Sequence, residues 1–263
     1  MIIDFHTHCF PDGLAPKAIP KLSHAAGGLI PCTDGTLAGL RKSMKDCGVD
    51  VSVVMNIATN ADQMRKVNDF AASINNREDI FSFGSVFPFA PDALDELERI
   101  KVLGLRGIKF HPEYQGFSVD DERLFPLYQK ISELGLITLF HAGVDYGFAP
   151  PYGATPEKLA VALREFSSPV IAAHWGGVLC GEGVLKNLCG LDIYFDLSFG
   201  YGTMSKYLAE EIVEKHGADK LLFASDTPWH SPALELSLIG SLGLSDDELS
   251  KIKSENAKKL LGI

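Results

Sequence analysis

Leu136-Ile137-Thr138-Leu139-Phe140-His141 is a run of apolar and β-branched residues that stops on a histidine. It follows a segment of helical period, 121–134, that closes on Gly135. The run is continuous rather than alternating, as in a parallel sheet covered on both faces by helices. Outward in both directions the same unit recurs. Seven further runs of strand length are IIDF (2–5), VSVVMN (51–56), IFSFGSV (80–86), LRGIKF (105–110), PVIAAH (169–174), LDIYFDL (191–197) and KLLFAS (220–225). Segments of helical period occupy 36–47, 60–77, 91–103, 155–167, 178–189, 203–216 and 232–241. Openings such as Pro91-Asp92 and Thr155-Pro156-Glu157, and closings on Gly48, Gly104 and Gly217, are helix-end signals. A last helix, 245–261, starts at the capping box Ser245-x-x-Glu248. Eight strand–helix units in about 250 residues predict an α/β fold, a (β/α)8 or TIM barrel, as a single domain over 1–263. A doubly wound open sheet is the competitor, but no G-x-G-x-x-G follows the first strand.

The chain has 263 residues, 46% hydrophobic and 22% charged, with 24 Lys+Arg against 34 Asp+Glu and a net charge of −10. This is globular composition, and its sign works against nucleic acid or an anionic membrane surface as partner. No apolar stretch approaches the ~18–20 residues that span a bilayer. A small-molecule partner is expected, and the oligomeric state stays open. The five cysteines, Cys9, Cys32, Cys47, Cys180 and Cys189, form no C-x-x-C, and MIIDFHTHCF lacks the pattern of a signal peptide, so a cytoplasmic protein with inert thiols is expected.

Parallel barrels keep their active sites at the carboxyl ends of the strands. His6, His8, His111, His141 and His174 fall at or just past such ends, and His230 follows the last strand. Histidines approaching one mouth from separate strands can chelate a metal. In Asp4-Phe5-His6-Thr7-His8, residues two apart point to one side, so His6 and His8 can grip one cation while Phe5 and Thr7 face away. Asp226 ends the eighth strand, where a carboxylate can bind a cation and accept a proton from water. Lys109 ends the fourth, in Gly107-Ile108-Lys109-Phe110-His111-Pro112, where an amine facing the axis would lose solvation. A carbamate, charge balance or substrate contact are its possible uses. Two long connections, 9–35 and 142–154, also leave strand ends and read as loops rich in Gly, Pro and small residues. Nine aromatic residues beyond strand ends (Phe10, Tyr114, Phe117, Tyr146, Phe148, Tyr152, Trp175, Tyr201, Trp229) suggest an apolar or ring-bearing substrate. His24 and His216 read as surface residues.

This arrangement resembles the amidohydrolase superfamily: His-x-His on strand one, Lys on four, His on five, His on six and Asp on eight. DFHTH, GIKFHP, FHAG, AHWGG, FASDTPW and Glu255-Asn256-Ala257 are closest to its compact amidohydrolase-2 branch of hydrolases, lactonases and non-oxidative decarboxylases. The resemblance spans the chain and implies a metal site at the C-terminal mouth. His6, His8, His141 and Asp226 would hold one metal, usually zinc, with His174 close by as an acid or electrophile. A carboxylated Lys109 would instead bridge to a second metal held by His141 and His174. The implied activity is hydrolysis of a small amide, ester or lactone by metal-activated water with Asp226 as base. The alternative is decarboxylation of a small, possibly aromatic, acid. TatD-like phosphoesterase chemistry and a non-catalytic metal-binding protein rank lower.

Overall fold

The computed structural model describes residues 1–263. Eight parallel strands are β1 (Ile3–Thr7), β2 (Val51–Met55), β3 (Ile80–Phe83), β4 (Gly107–Phe110), β5 (Ile137–Phe140), β6 (Val170–Ala172), β7 (Tyr194–Asp196) and β8 (Leu221–Leu222). The helices are α1 (Ala15–Ala25), α2 (Leu37–Cys47), α3 (Ala61–Ile74), α4 (Ala93–Val102), α5 (Pro112–Gln115), α6 (Phe125–Glu133), α7 (Pro156–Ala162), α8 (Gly181–Asn187), α9 (Lys206–His216), α10 (Pro232–Gly240), α11 (Asp246–Ser250) and α12 (Asn256–Leu261). Strands β1–β3 pair in order, as do β4–β8. Two seams close these sheets into a barrel. At one, Gly84 donates to Gly107 O (2.9 Å) and accepts from Lys109 N–H (2.8 Å). At the other, Phe5 N–H donates to Phe223 O (2.9 Å) and Asp226 N–H to His6 O (2.8 Å). The TIM barrel expected from the eight runs is the fold observed.

Alternation divides the apolar residues into two layers. Val51, Val53, Phe81, Phe83, Ile137, Leu139 and Ile171 fill the barrel interior, and Ala257 and Leu261 of α12 plug the end where the strands start. The other parity, including Val54, Ile108, Phe110, Phe140 and Ala172, packs under the helices. Lys109 pairs in register with Leu139, so it shares the interior parity.

β1 breaks its own alternation. Ile3 pairs with Val51 and Asp4 with Ser52, but the next partners are Thr7 and Val54, three steps against two. That extra residue is a β-bulge, which re-aims side chains. Phe5 therefore packs inside the barrel, edge-on to Phe83 at 5.8 Å, while His6 also points inward. The expectation that Phe5 turns away from the histidines fails for this reason.

Other departures are local. The 9–35 connection contains α1, with Ala15 and Ile19 buried and Pro20 inside the helix. The expected helix 155–167 stops at Ala162 and ends in a 3-10 turn, Leu163–Glu165. The helix expected from 178 begins only at Gly181, after His174, Trp175 and Leu179 take left-handed backbone angles. The last helix has its capping box but passes through a π-turn at Lys251–Glu255, and Ile252 O accepts Phe223 N–H at 2.8 Å. That bond takes the N–H of Phe223, the residue after the two-residue β8, while its O still accepts from Phe5 at the seam. No helix is long and apolar enough to cross a membrane.

His216 is buried, not on the surface: its ring stacks on Phe195 at 4.0 Å, Nε2–H donates to Ile193 O at 2.9 Å and Nδ1 accepts Gly190 N–H at 3.1 Å. Burial lowers its pKa. The neutral ring is favoured in the folded state, so this stability is present above the unfolded pKa of about 6.5 and is lost as pH falls below it. Urea unfolding from pH 7 to 5 should show falling stability, with a shallower fall in His216→Gln; an identical slope in the variant would refute this.

Candidate active site

All six residues expected at the site, His6, His8, Lys109, His141, His174 and Asp226, line one cavity of about 750 Å³ at the carboxyl end of the barrel. Three meet closely. His6 Nε2 lies 3.1 Å from His8 Nε2, and Asp226 Oδ1 lies 3.1 Å from His8 Nε2 and 3.4 Å from His6 Nε2.

The outer nitrogens explain how those inner atoms are set. His6 Nδ1–H donates to Asp196 Oδ2 and His8 Nδ1–H to Met55 O, each at 2.8 Å. In a neutral imidazole the other nitrogen carries a lone pair. Two lone pairs and a carboxylate oxygen therefore face one another with no proton between them, an arrangement that a cation relieves. One donor atom each of His6, His8 and Asp226 lies within 4.8 Å of the other two, so this donor set fits a divalent metal. Asp226 holds its place with φ +68°, a left-handed conformation uncommon for a non-glycine residue.

Lys109 Nζ is 3.2 Å from His6 Nε2 and is fully buried. Burial pulls its pKa down to about 8, opposed by the nearby carboxylates of Asp196, Asp226, Glu113 and Asp145. Burial, then the charge on Lys109, keeps His6 well below the usual histidine range.

His141 and His174 form a directed chain. Ser198 donates to Asp196 Oδ1, so its oxygen accepts His174 Nδ1–H at 2.8 Å. The His174 Nε2 lone pair then accepts His141 Nδ1–H at 3.1 Å. This leaves His141 Nε2 buried without a partner. His141 stands outside the triad of His6, His8 and Asp226; it groups with His111, on which it stacks at 4.1 Å, and Glu113. His174 groups with His6 and Asp196.

Sequence reading missed Asp196. Fully buried, it accepts from His6 Nδ1–H, His174 N–H (3.0 Å) and Ser198 N–H (3.1 Å). Its signal was a carboxylate ending the apolar run Ile193-Tyr194-Phe195-Asp196. Asp145 was missed as well; its Oδ2 lies 3.2 Å from His111 Nε2. Of the nine aromatic residues, Phe10, Tyr114, Tyr146 and Trp229 line the cavity. Phe70 and Phe199 do too, whereas Trp175 is buried beneath. Cys9 lines it with a thiol pushed up to about 12 by burial, and all five cysteines are free.

A family model described as amidohydrolase matches residues 3–263. No curated protein matches the sequence. Among solved structures, a TIM-barrel protein from Bordetella bronchiseptica is 19% identical with a TM-score of 0.80, covering 99% of this chain and 98% of that one. 5-Carboxyvanillate decarboxylase from Sphingomonas paucimobilis is 17% identical, TM-score 0.72, with 100% and 99% covered. A 2-pyrone-4,6-dicarboxylic acid hydrolase from Pseudomonas putida, so described provisionally, is 16% identical, TM-score 0.69, with 99% and 97% covered.

Replacing Asp196 tests the anchoring of His6. In Asp196→Asn the amide can present its NH2 where His6 Nδ1–H now donates, favouring the wrong tautomer. Zinc affinity, measured by competition with a chromogenic chelator, should fall roughly 10–100-fold while unfolding stays cooperative. Unchanged affinity would show that His6 does not need this partner.

Proposed function

Because the chain belongs to the amidohydrolase family, we propose that it is a metal-dependent hydrolase of a small amide, ester or lactone. The observation that carries this reading is Asp226 Oδ1 packed against the inward nitrogens of both His6 and His8. His6, His8 and Asp226 would hold one ion, and the unpartnered Nε2 of His141 keeps that residue in the donor set. Imidazole and carboxylate donors suit zinc. When bound, the ion supplies Lewis acidity toward a carbonyl and lowers the pKa of water toward ~7.

The chain's own groups do the rest. Asp226 has Oδ1 against the histidines, leaving Oδ2 to take the proton of the attacking water and return it to the leaving group. His174 acts through His141. Its Nδ1–H is committed to Ser198, so the neutral ring presents a lone pair rather than the acidic proton expected from the sequence. Burial holds it in that form, and we assign it to fixing the His141 tautomer. Lys109 is taken as an unmodified amine, balanced by the four carboxylates around it, and no second ion is required. A single-domain, cytoplasmic enzyme acting on a small molecule is the corresponding cellular reading.

Decarboxylation is the second reading, favoured by the cavity wall of Phe10, Tyr114, Phe199 and Trp229, which suits a ring-bearing acid. A screen of lactones, amides, esters and aromatic acids, scoring acid release separately from CO2 release, separates the two. On the substrate so found, Asp226→Asn should lose roughly 10²–10⁴-fold in turnover while keeping its fold. Near wild-type turnover would rule Asp226 out as the base; CO2 release without acid release from esters would overturn the hydrolase reading.

A further inference from the structure

The cavity is chemically uneven from floor to rim. Its carboxylates are Asp145 and Asp226, which stand beside the histidines of the floor. Its outer wall comes from α1 and α3. Leu14, just before α1, and Lys17, Ala18, Lys21 and Leu22 along it line the cavity, a spacing that repeats one helix face. Along α3, Gln63, Lys66, Val67 and Phe70 do the same. Each helix thus sets lysine among apolar side chains that face the cavity.

These lysines have no partners within the protein. Of the chain's fourteen other lysines, seven, Lys42, Lys130, Lys206, Lys215, Lys220, Lys251 and Lys258, form ion pairs with carboxylates and seven do not, so what sets these three apart is their place on the outer wall of the cavity. Lys17, Lys21 and Lys66 form none, although Asp62 stands four residues before Lys66 on α3, a spacing that favours pairing. In a chain of net charge −10 with more acidic than basic residues, three ammonium groups without ion-pair partners line this one cavity. A low-dielectric wall beneath them focuses their field on whatever enters.

We infer that Lys17, Lys21 and Lys66 form an anion subsite, so that the substrate carries a terminal carboxylate or phosphate on an apolar stem, remote from the bond that reacts at the histidines. The identity of that reacting bond rests on the hydrolase reading; binding of the tail does not. Neutral esters or lactones then enter the cavity but lack the contact that fixes the far end. The apolar side chains between rim and floor hold the stem.

The test reads binding and needs no turnover. Zinc-loaded enzyme is titrated calorimetrically with matched acids of six, eight and ten carbons, each as the monoacid and as the α,ω-diacid, and with 8-phosphonooctanoate. One diacid or the phosphonate should bind about tenfold more tightly than its monoacid, as expected for several solvent-exposed charge contacts acting together. The gap should shrink as salt rises from about 0.02 to 0.5 M, because screening acts on exposed charges. It should collapse in the triple variant Lys17→Gln/Lys21→Gln/Lys66→Gln, whose unfolding midpoint should match wild type. Preference for the phosphonate assigns the tail as phosphate; preference for a diacid assigns it as carboxylate. Equal affinity of monoacid and dianion at every length, or a gap that survives in the folded triple variant, overturns the proposal. Failure of the turnover screen leaves this result standing, and loss of the gap leaves the role of Asp226 untouched.

Discussion

A buried carboxylate must find donors for its oxygens or lose its charge, and Asp196 meets that requirement by drawing three strands to one point. It takes His6 Nδ1–H from β1, His174 N–H at the end of β6, and the hydroxyl and N–H of Ser198 just beyond β7. The inner face of the site is a consequence. His6 is left with its lone pair on Nε2, Ser198 is turned to accept from His174, and His174 is turned to accept from His141. Fixed dipoles of this kind cost no reorganisation when charge develops, which is why sites built on strand ends are more exact than sites on loops.

Much of this was legible from single residues. The eight apolar runs gave the strand count, and the histidines and Asp226 marked the strand ends because side chains there have one mouth to share. What stayed hidden depended on partners distant in sequence. The bulge in β1 is visible only against the register of β2, where three residues meet two, and it puts Phe5 beside His6 inside the barrel. Asp196 looked like an ordinary strand residue until its four donors, from His6, His174 and Ser198, were in place. α1 was hidden by its own composition: Pro16 and Pro20 suggest a loop, yet Pro16 sits in the first turn, where a missing N–H costs nothing, and Ala15 and Ile19 bury the inner face. His216 was misplaced because one histidine near a helix end carries no periodicity; stacking on Phe195 decided its burial.

The mixture of charges at the floor follows from its burial. Lys109 and four carboxylates share a space from which water is largely excluded, so each carboxylate there is balanced by an ammonium, an N–H or an imidazole. Glu113 shows the same economy at the edge, where Oε1 accepts Gly153 N–H at 2.9 Å and ties the 142–154 connection to α5. The connection is thereby held against the mouth rather than left free above it.

The segment carrying α1 leaves and rejoins the barrel at nearly the same place, because Phe10 N–H bonds Gly35 O at 2.8 Å. Everything between those residues is topologically a cassette. Its ends are pinned beside β1, and closing a longer loop across the same gap costs only about 0.6 kcal/mol per doubling of length. None of the histidines on strand ends lies within it. Residues 11–31 can therefore take another length or sequence while β1 keeps its bulge, so long as Cys32 N–H still bonds Pro228 O (2.7 Å) in the loop that follows Asp226. The barrel is built so that a new outer wall can be grafted onto an old reaction.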